Sequence, residues 1–327
     1  VEPRDDLGDW LADGERQEQG RRRTAAARER LEALPAIRTF LSAVAGCCDG
    51  DAVRIGSAIE ALFADTHWVN TLVRDWIGEA RRDWFFTPPV RQATGPFHRS
   101  ALLLERPQAT VALCAIDPDA LRARKRDAGG TGSVFFPGNR AYLKFIETGG
   151  LTMSFWAAPE LDERTIDPAD GRCRRTDCRR VDPGELVAVD MARQSYVFER
   201  ADRPVLFLHG DVRVGGAALA GEFDAVSGAL KGLSSGSQTW SRTQMMLSFL
   251  RLAGCREPGP SFDRIVADAP FFVRWHAMRE WLALDSAAAW PRLSEMARHD
   301  PHPEVQAAAR QVVTQLGARM SGLAACR

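Results

Sequence analysis

The hydrophobic periodicity of this chain changes twice along its length. After a solvated helical stretch over 20–34, apolar side chains recur at three- and four-residue spacing over 36–86. From about Pro96 to Val214 they gather into short runs bounded by Gly, Pro, Asn and Asp, and after Gly236 the helical spacing returns. A helix and a half-buried strand need different periods, so the chain is expected to build helices at both ends and antiparallel strands between them. The expected class is α+β: a helical N-terminal region over 1–90, an antiparallel β-barrel or sandwich over 91–235, and a helical domain over 236–327.

With 327 residues, 45% hydrophobic and 26% charged, the chain can fill more than one core. Its 43 basic and 43 acidic residues cancel, which leaves no global field to hold nucleic acid or an anionic membrane. No stretch approaches the roughly twenty apolar residues of a membrane span. The acidic, polar opening from Val1 to Asp13 is unlike a signal peptide. The seven cysteines include no CxxC pair. A bacterial-type soluble protein of the reducing cytoplasm is therefore expected. Cys173 and Cys178 fall in a polar segment read as a loop, at the edge of metal-ligand spacing and with no second pair nearby.

Helices are expected over 20–34, 36–44, 52–63 and 67–86, the last carrying a Trp68, Leu72, Trp76 stripe and stopped by Pro88 and Pro89. Strands are expected over 100–105, 110–116, 140–147, 151–157, 185–190, 195–199 and 205–214. Thr148-Gly149-Gly150 supplies the positive-φ positions of a tight turn. The basic run Arg122 to Arg126 reads as a solvated loop or an anion contact. Ser234 to Ser237 matches neither a P-loop nor a nucleophile elbow.

Two resemblances add to this reading. Asp182-Pro183-Gly184-Glu185 opens one strand, and the runs from Gln194 to Glu199 and from Pro204 to His209 follow closely; this resembles the back half of a cupin-type β-barrel, over roughly 96–230. Metal-binding cupins carry an HxH pair with a following glutamate on an early strand. Met153, Ser154, Phe155 and Trp156 stand at the matching strand here. What the resemblance implies is a container, with Phe145, Met153, Phe155, Trp156 and Tyr196 lining either a cavity for a small molecule or a plain core. The second lies at the C-terminus, where 268–284 aligns without gaps on 300–316, with Val273/Val305, Ala277/Ala309 and Leu284/Leu316 in register. This is similar to HEAT-type repeats, a generic pair of helical hairpins being the alternative. The resemblance implies a surface for another protein or peptide, with Trp275, Trp281 and Trp290 facing the β domain.

No complete catalytic constellation is present, and no cofactor is expected. The principal reading is a ligand- or protein-binding module. The alternative is a metal-dependent, cupin-type oxygenase holding Fe(II), because His209-Gly210-Asp211 supplies two ligands of a facial triad. Its third ligand is missing from the downstream strands: His276 lies on a repeat helix and His98 precedes the first strand. In that reading Arg140 or Arg213 binds a carboxylate co-substrate; otherwise His-Gly-Asp is a strand-end turn. His299 and His302 are read as helix-boundary residues.

Overall fold

The computed structural model describes residues 6–127, 132–161, 171–255 and 259–324. The chain opens with helices α1 (Asp6–Ala12), α2 (Gly14–Ala33), α3 (Pro35–Val44), α4 (Ala52–Ala64) and α5 (His67–Arg82). The strands β1 (Arg91–Thr94), β2 (His98–Glu105) and β3 (Ala109–Ile116) follow, then α6 (Pro118–Asp127). After it come β4 (Ser133–Phe136), β5 (Arg140–Glu147), β6 (Thr152–Ala157), β7 (Arg174–Arg180), β8 (Leu186–Asp190), β9 (Gln194–Arg200) and β10 (Val205–Val212). The pair β11 (Leu219–Asp224) and β12 (Leu230–Ser235) leads into α7 (Gln238–Leu252), α8 (Gly259–Asp268), α9 (Phe271–Leu284), α10 (Ser286–His299) and α11 (Pro303–Ala324). None of the described helices is long and apolar enough to cross a membrane.

Contacts divide the chain into two compact units: one holds α1–α6 and β1–β10, the other holds β12 and α7–α11. In the first, six strands form a sheet in the order β1-β2-β3-β10-β5-β8, and three form a second sheet, β7-β6-β9, with β4 lying beside β9. From β3 onward the chain crosses repeatedly between these layers: β3, β5, β8 and β10 enter the large sheet, while the β6–β7 pair and β9 enter the small one. Antiparallel strands that wind between two layers in this way form a jelly roll, the architecture the cupin resemblance implies.

The core between the two layers takes one face of each strand. Cys114 and Ile116 of β3, Ala141, Leu143 and Phe145 of β5, Met153 of β6 and Phe207 of β10 meet there. The opposite face of the large sheet is covered by helices: Leu208 and Val212 of β10 and Tyr142 of β5 pack with Ile55, Ile59 and Phe63 of α4 and with Leu72 of α5. Each such side chain fully removed from water contributes about 1.5–3 kcal/mol. Gly210 permits the close approach, since a Cβ there would stand 2.7 Å from Ile59 Cγ2. His-Gly-Asp is therefore no turn. Gly210 pairs with both Val111 and Tyr142 inside a continuous strand.

Two segments expected as loops are regular elements. The basic run lies in α6, where Leu121 is buried and Lys125 Nζ donates to Glu199 at 2.7 Å. Cys178 lies in β7, an exposed strand that pairs only with β6 among the described residues. Its sequence, RRTDCRR, has no apolar alternation because neither face is buried, and charge suits an edge strand. Helix α5 stops at Arg82, short of Phe86; Trp68 and Leu72 of the stripe are buried, with Val69 beside them, and Trp76 is half-buried.

The second unit has its own core. α8 packs on α9 and α10 on α11, with Ala277, Val305 and Ala309 in the shared core and Val273 also buried. Trp281 stacks on Phe262 at 6.1 Å, and Trp275 and Trp290 pack against the same cluster. These tryptophans, expected to face the β domain, are taken up by the core of their own helices. Arg274 links the two aligned segments, with Nη2 2.7 Å and Nε 3.1 Å from the Asp300 carboxylate.

Candidate functional site

Alternation along β10 places Phe207, His209 and Asp211 on the jelly-roll interior, opposite Leu208, Gly210 and Val212, which meet the helices. Phe207 belongs to the apolar core, and the two polar residues continue its face toward the end of the strand. Their side chains remain 23% and 26% exposed, so this end of the interior is reached by solvent. His209 Nδ1 lies 3.4 Å from Asp211 Oδ2, and His209 Nε2 lies 3.5 Å from the Tyr196 hydroxyl on β9. Asn139 Nδ2 donates to Asp211 Oδ1 at 2.7 Å, while its own Oδ1 is buried without a partner among the described residues. Ala112 and Leu143 flank His209 on the neighbouring strands.

The electrostatics follow from this geometry. Burial, reinforced by the Asp211 charge, pushes the Cys114 thiol up to about 12, so it stays a neutral thiol at physiological pH. Burial also raises the Tyr196 phenol, with Asp211 and Cys114 adding to the effect; Tyr196 keeps its proton and remains a donor. The group thus offers a phenol, an imidazole oriented by a carboxylate, and the carboxylate itself.

An iron(II) facial triad needs a third protein ligand and ring nitrogens free to face the metal. Among the described residues, no set of three His, Cys, Asp or Glu side chains could hold an ion. Both nitrogens of His209 face protein groups, Asp211 on one side and Tyr196 on the other. These residues do not fit an iron centre.

The other expected site residues distribute as follows. Phe145, Met153, Phe155 and Tyr196 share the interior cluster with Phe207. Trp156 lies outside that cluster, its Nε1 donating to Ser154 Oγ at 2.9 Å. Ser154 in turn donates to Glu199. Burial acts to raise the Glu199 carboxyl, but hydrogen bonds from Lys125 and Ser154 outweigh it and leave the value lowered. Phe155 and Trp156 border a cleft of about 440 Å³ with Val187 and Val189. Arg179 lies over the Phe155 ring at 5.1 Å and is fixed by Glu185 at 2.6 Å. Arg140 shares its strand parity with Tyr142, on the helix-covered side, and lies 3.9 Å from Asp190. Arg213 follows β10 and lies 3.5 Å from Glu105. Neither arginine joins His209. Asn139 and Cys114 complete the group, although nothing in their local sequence marks them.

No protein-family model matches the chain, and no curated protein matches it. Several solved structures show a likeness. An ectoine synthase from P. lautus is 12% identical, over 37% of this chain and 67% of that one, with a TM-score of 0.23. An oxalate decarboxylase from Bacillus subtilis is 15% identical, over 42% of this chain and 31% of that one, with a TM-score of 0.25. A Klebsiella pneumoniae protein with a double-stranded β-helix domain is 13% identical, over 42% of this chain and 90% of that one, with a TM-score of 0.24. The chain spans about a third of the decarboxylase, and every one of these likenesses covers less than half of this chain. The strand order and pairing by themselves define the jelly roll.

Proposed function

We propose that the jelly-roll unit binds a small molecule at the His209 end of its interior, by hydrogen bonds rather than through a metal. The observation that carries this reading is the inward, partly solvent-exposed His209–Asp211 pair facing the Tyr196 hydroxyl. A protonated phenol, an oriented imidazole and a carboxylate beside an apolar wall suit a compact ligand bearing hydroxyl or carbonyl groups. The iron-dependent oxygenase is the weaker reading, because the donor set does not fit.

In the same proposal the helical unit is a HEAT-like surface for a protein or peptide. Met245, Met246, Phe249 and Leu252 of α7 support it: they are 59–74% exposed and form one apolar stripe.

The test is a titration with small polyols and hydroxy acids, followed through the ring resonances of His209. At least one class is expected to shift them saturably, and Tyr196→Phe and Asp211→Asn are expected to weaken that binding about tenfold each, the worth of one charge-assisted or buried hydrogen bond. If no compound moves His209, or if both variants bind as well as the parent, the site is not a ligand site.

A further inference from the structure

At the opposite end of β10 from Asp211, a separate open cleft of about 720 Å³ lies among the start of β2, the β3–α6 junction and the segment before Val205. Phe97, Ile116, Pro118 and Pro204 supply its apolar surface. Its charged groups fall into two sets with different obligations.

The carboxylates are already engaged. Asp117 Oδ1 accepts the backbone N–H groups of Asp119 and Ala120 at 2.9 and 3.1 Å. Asp119 accepts from Arg122 at 2.7 Å, and Asp202 lies 3.3 Å from Arg180. The cationic side is free. Arg99 and Arg203 both border the cleft, and neither side chain has an ion pair or hydrogen bond among the described residues. His98 also borders it; its ring packs against Phe97 at 5.4 Å and covers Gly95, where a Cβ would lie 2.2 Å from Cε1, and its nitrogens make no hydrogen bond among the described residues.

The local acids are thus internally satisfied while two guanidiniums and an imidazole keep their donors available beside an apolar wall. Planar guanidinium forks match the geometry of carboxylate and phosphate oxygens. We propose that this cleft binds a small organic oxyanion, a carboxylate or phosphate carried on a ring-like apolar body, with Arg99 and Arg203 on the charge and Phe97, Pro118 and Pro204 against the body. The site is distinct from the His209 end of the barrel and does not depend on what binds there.

Phenyl phosphate, benzoate, inorganic phosphate and the neutral benzyl alcohol are the probes, each titrated into the full chain while backbone amide resonances are followed. Phenyl phosphate or benzoate is expected to shift Phe97 to Arg99 and Asp119 to Ala120 saturably, inorganic phosphate more weakly, and benzyl alcohol not at all. The Arg99→Gln, Arg203→Gln double variant should bind about tenfold or more weakly, as expected for loss of charged hydrogen bonds. Both side chains are exposed, so the thermal transition should be unchanged; the Arg99→Lys, Arg203→Lys variant, which keeps the charge, should retain part of the affinity. The proposal is overturned if neither ring-bearing anion gives saturable shifts at these residues, if the Gln variant binds as the parent does, or if benzyl alcohol binds equally well.

Discussion

Replacing Arg274 with methionine is expected to destabilise the helical unit by about 3–5 kcal/mol, the usual cost of leaving one member of a buried ion pair without its partner. Arg274 and Asp300 side chains are only 11% and 4% exposed. The guanidinium makes two bonds to the carboxylate and a third, at 2.9 Å, to the Ala269 carbonyl. Without it, Asp300 retains the His302 N–H at 2.9 Å, and the Ala269 carbonyl loses a donor. Since folded domains are stable by about 5–15 kcal/mol, this one change removes a large part of the total. Hydrogen exchange resolves the effect by segment: α9 and the start of α11 should lose protection, while β5 and β10 keep theirs. Adding Asp300→Leu to Arg274→Met should recover part of the loss, because a fully apolar pair strands no charge. A single variant as stable as the parent would show that the pair contributes nothing.

The second large effect is expected in the barrel. Phe145→Ala should cost about 3–5 kcal/mol, the range for truncating a buried aromatic ring. Phe145 has no exposed surface and its ring lies 5.5 Å from Phe207, which in turn lies 5.7 Å from Phe198 on the facing sheet. Phe207 precedes His209 on the same face of β10, so the cavity opens directly under the candidate site. Urea unfolding, with exchange protection of β5 and β10 as the local readout, should show the loss in the first unit. Phe145→Leu, which fills more of the space, should show a smaller one. Equal stability of the Ala variant and the parent would mean that the interior is not packed around this ring.

The alternation of element types was legible because periods of two and of about 3.6 residues leave different marks. All seven strands expected between residues 100 and 214 are present within a few residues of their expected limits. What the sequence does not display is which face of a doubly buried strand looks where. Val205 to Leu208 is apolar without a break because the jelly-roll core takes Phe207 and α4 takes Leu208. His209 therefore carries no orientation legible in the sequence, and Gly210, which reads as a turn residue, is instead where Ile59 and Phe63 of α4 approach the strand. For the same reason Arg140 and Phe145, five residues apart on β5, could not be assigned to opposite faces. β7 and α6 were hidden for a different reason: an exposed edge strand and a helix with one buried leucine carry too little apolar periodicity to be read. The aligned C-terminal segments were legible as a repeat, yet their most consequential bond was not. Arg274 aligns with Gln306, which donates to the Arg298 carbonyl, so the ion pair to Asp300 breaks the internal symmetry.

His209 and Asp211 are proposed to form, together with Tyr196, an interior hydrogen-bonding site that holds no metal. Its most direct test is elemental analysis of the protein purified without chelators, beside the His209→Ala, Asp211→Ala variant. Transition metal well below one equivalent is expected in both; near-stoichiometric iron or another transition metal in the parent that disappears in the variant would overturn the metal-free site.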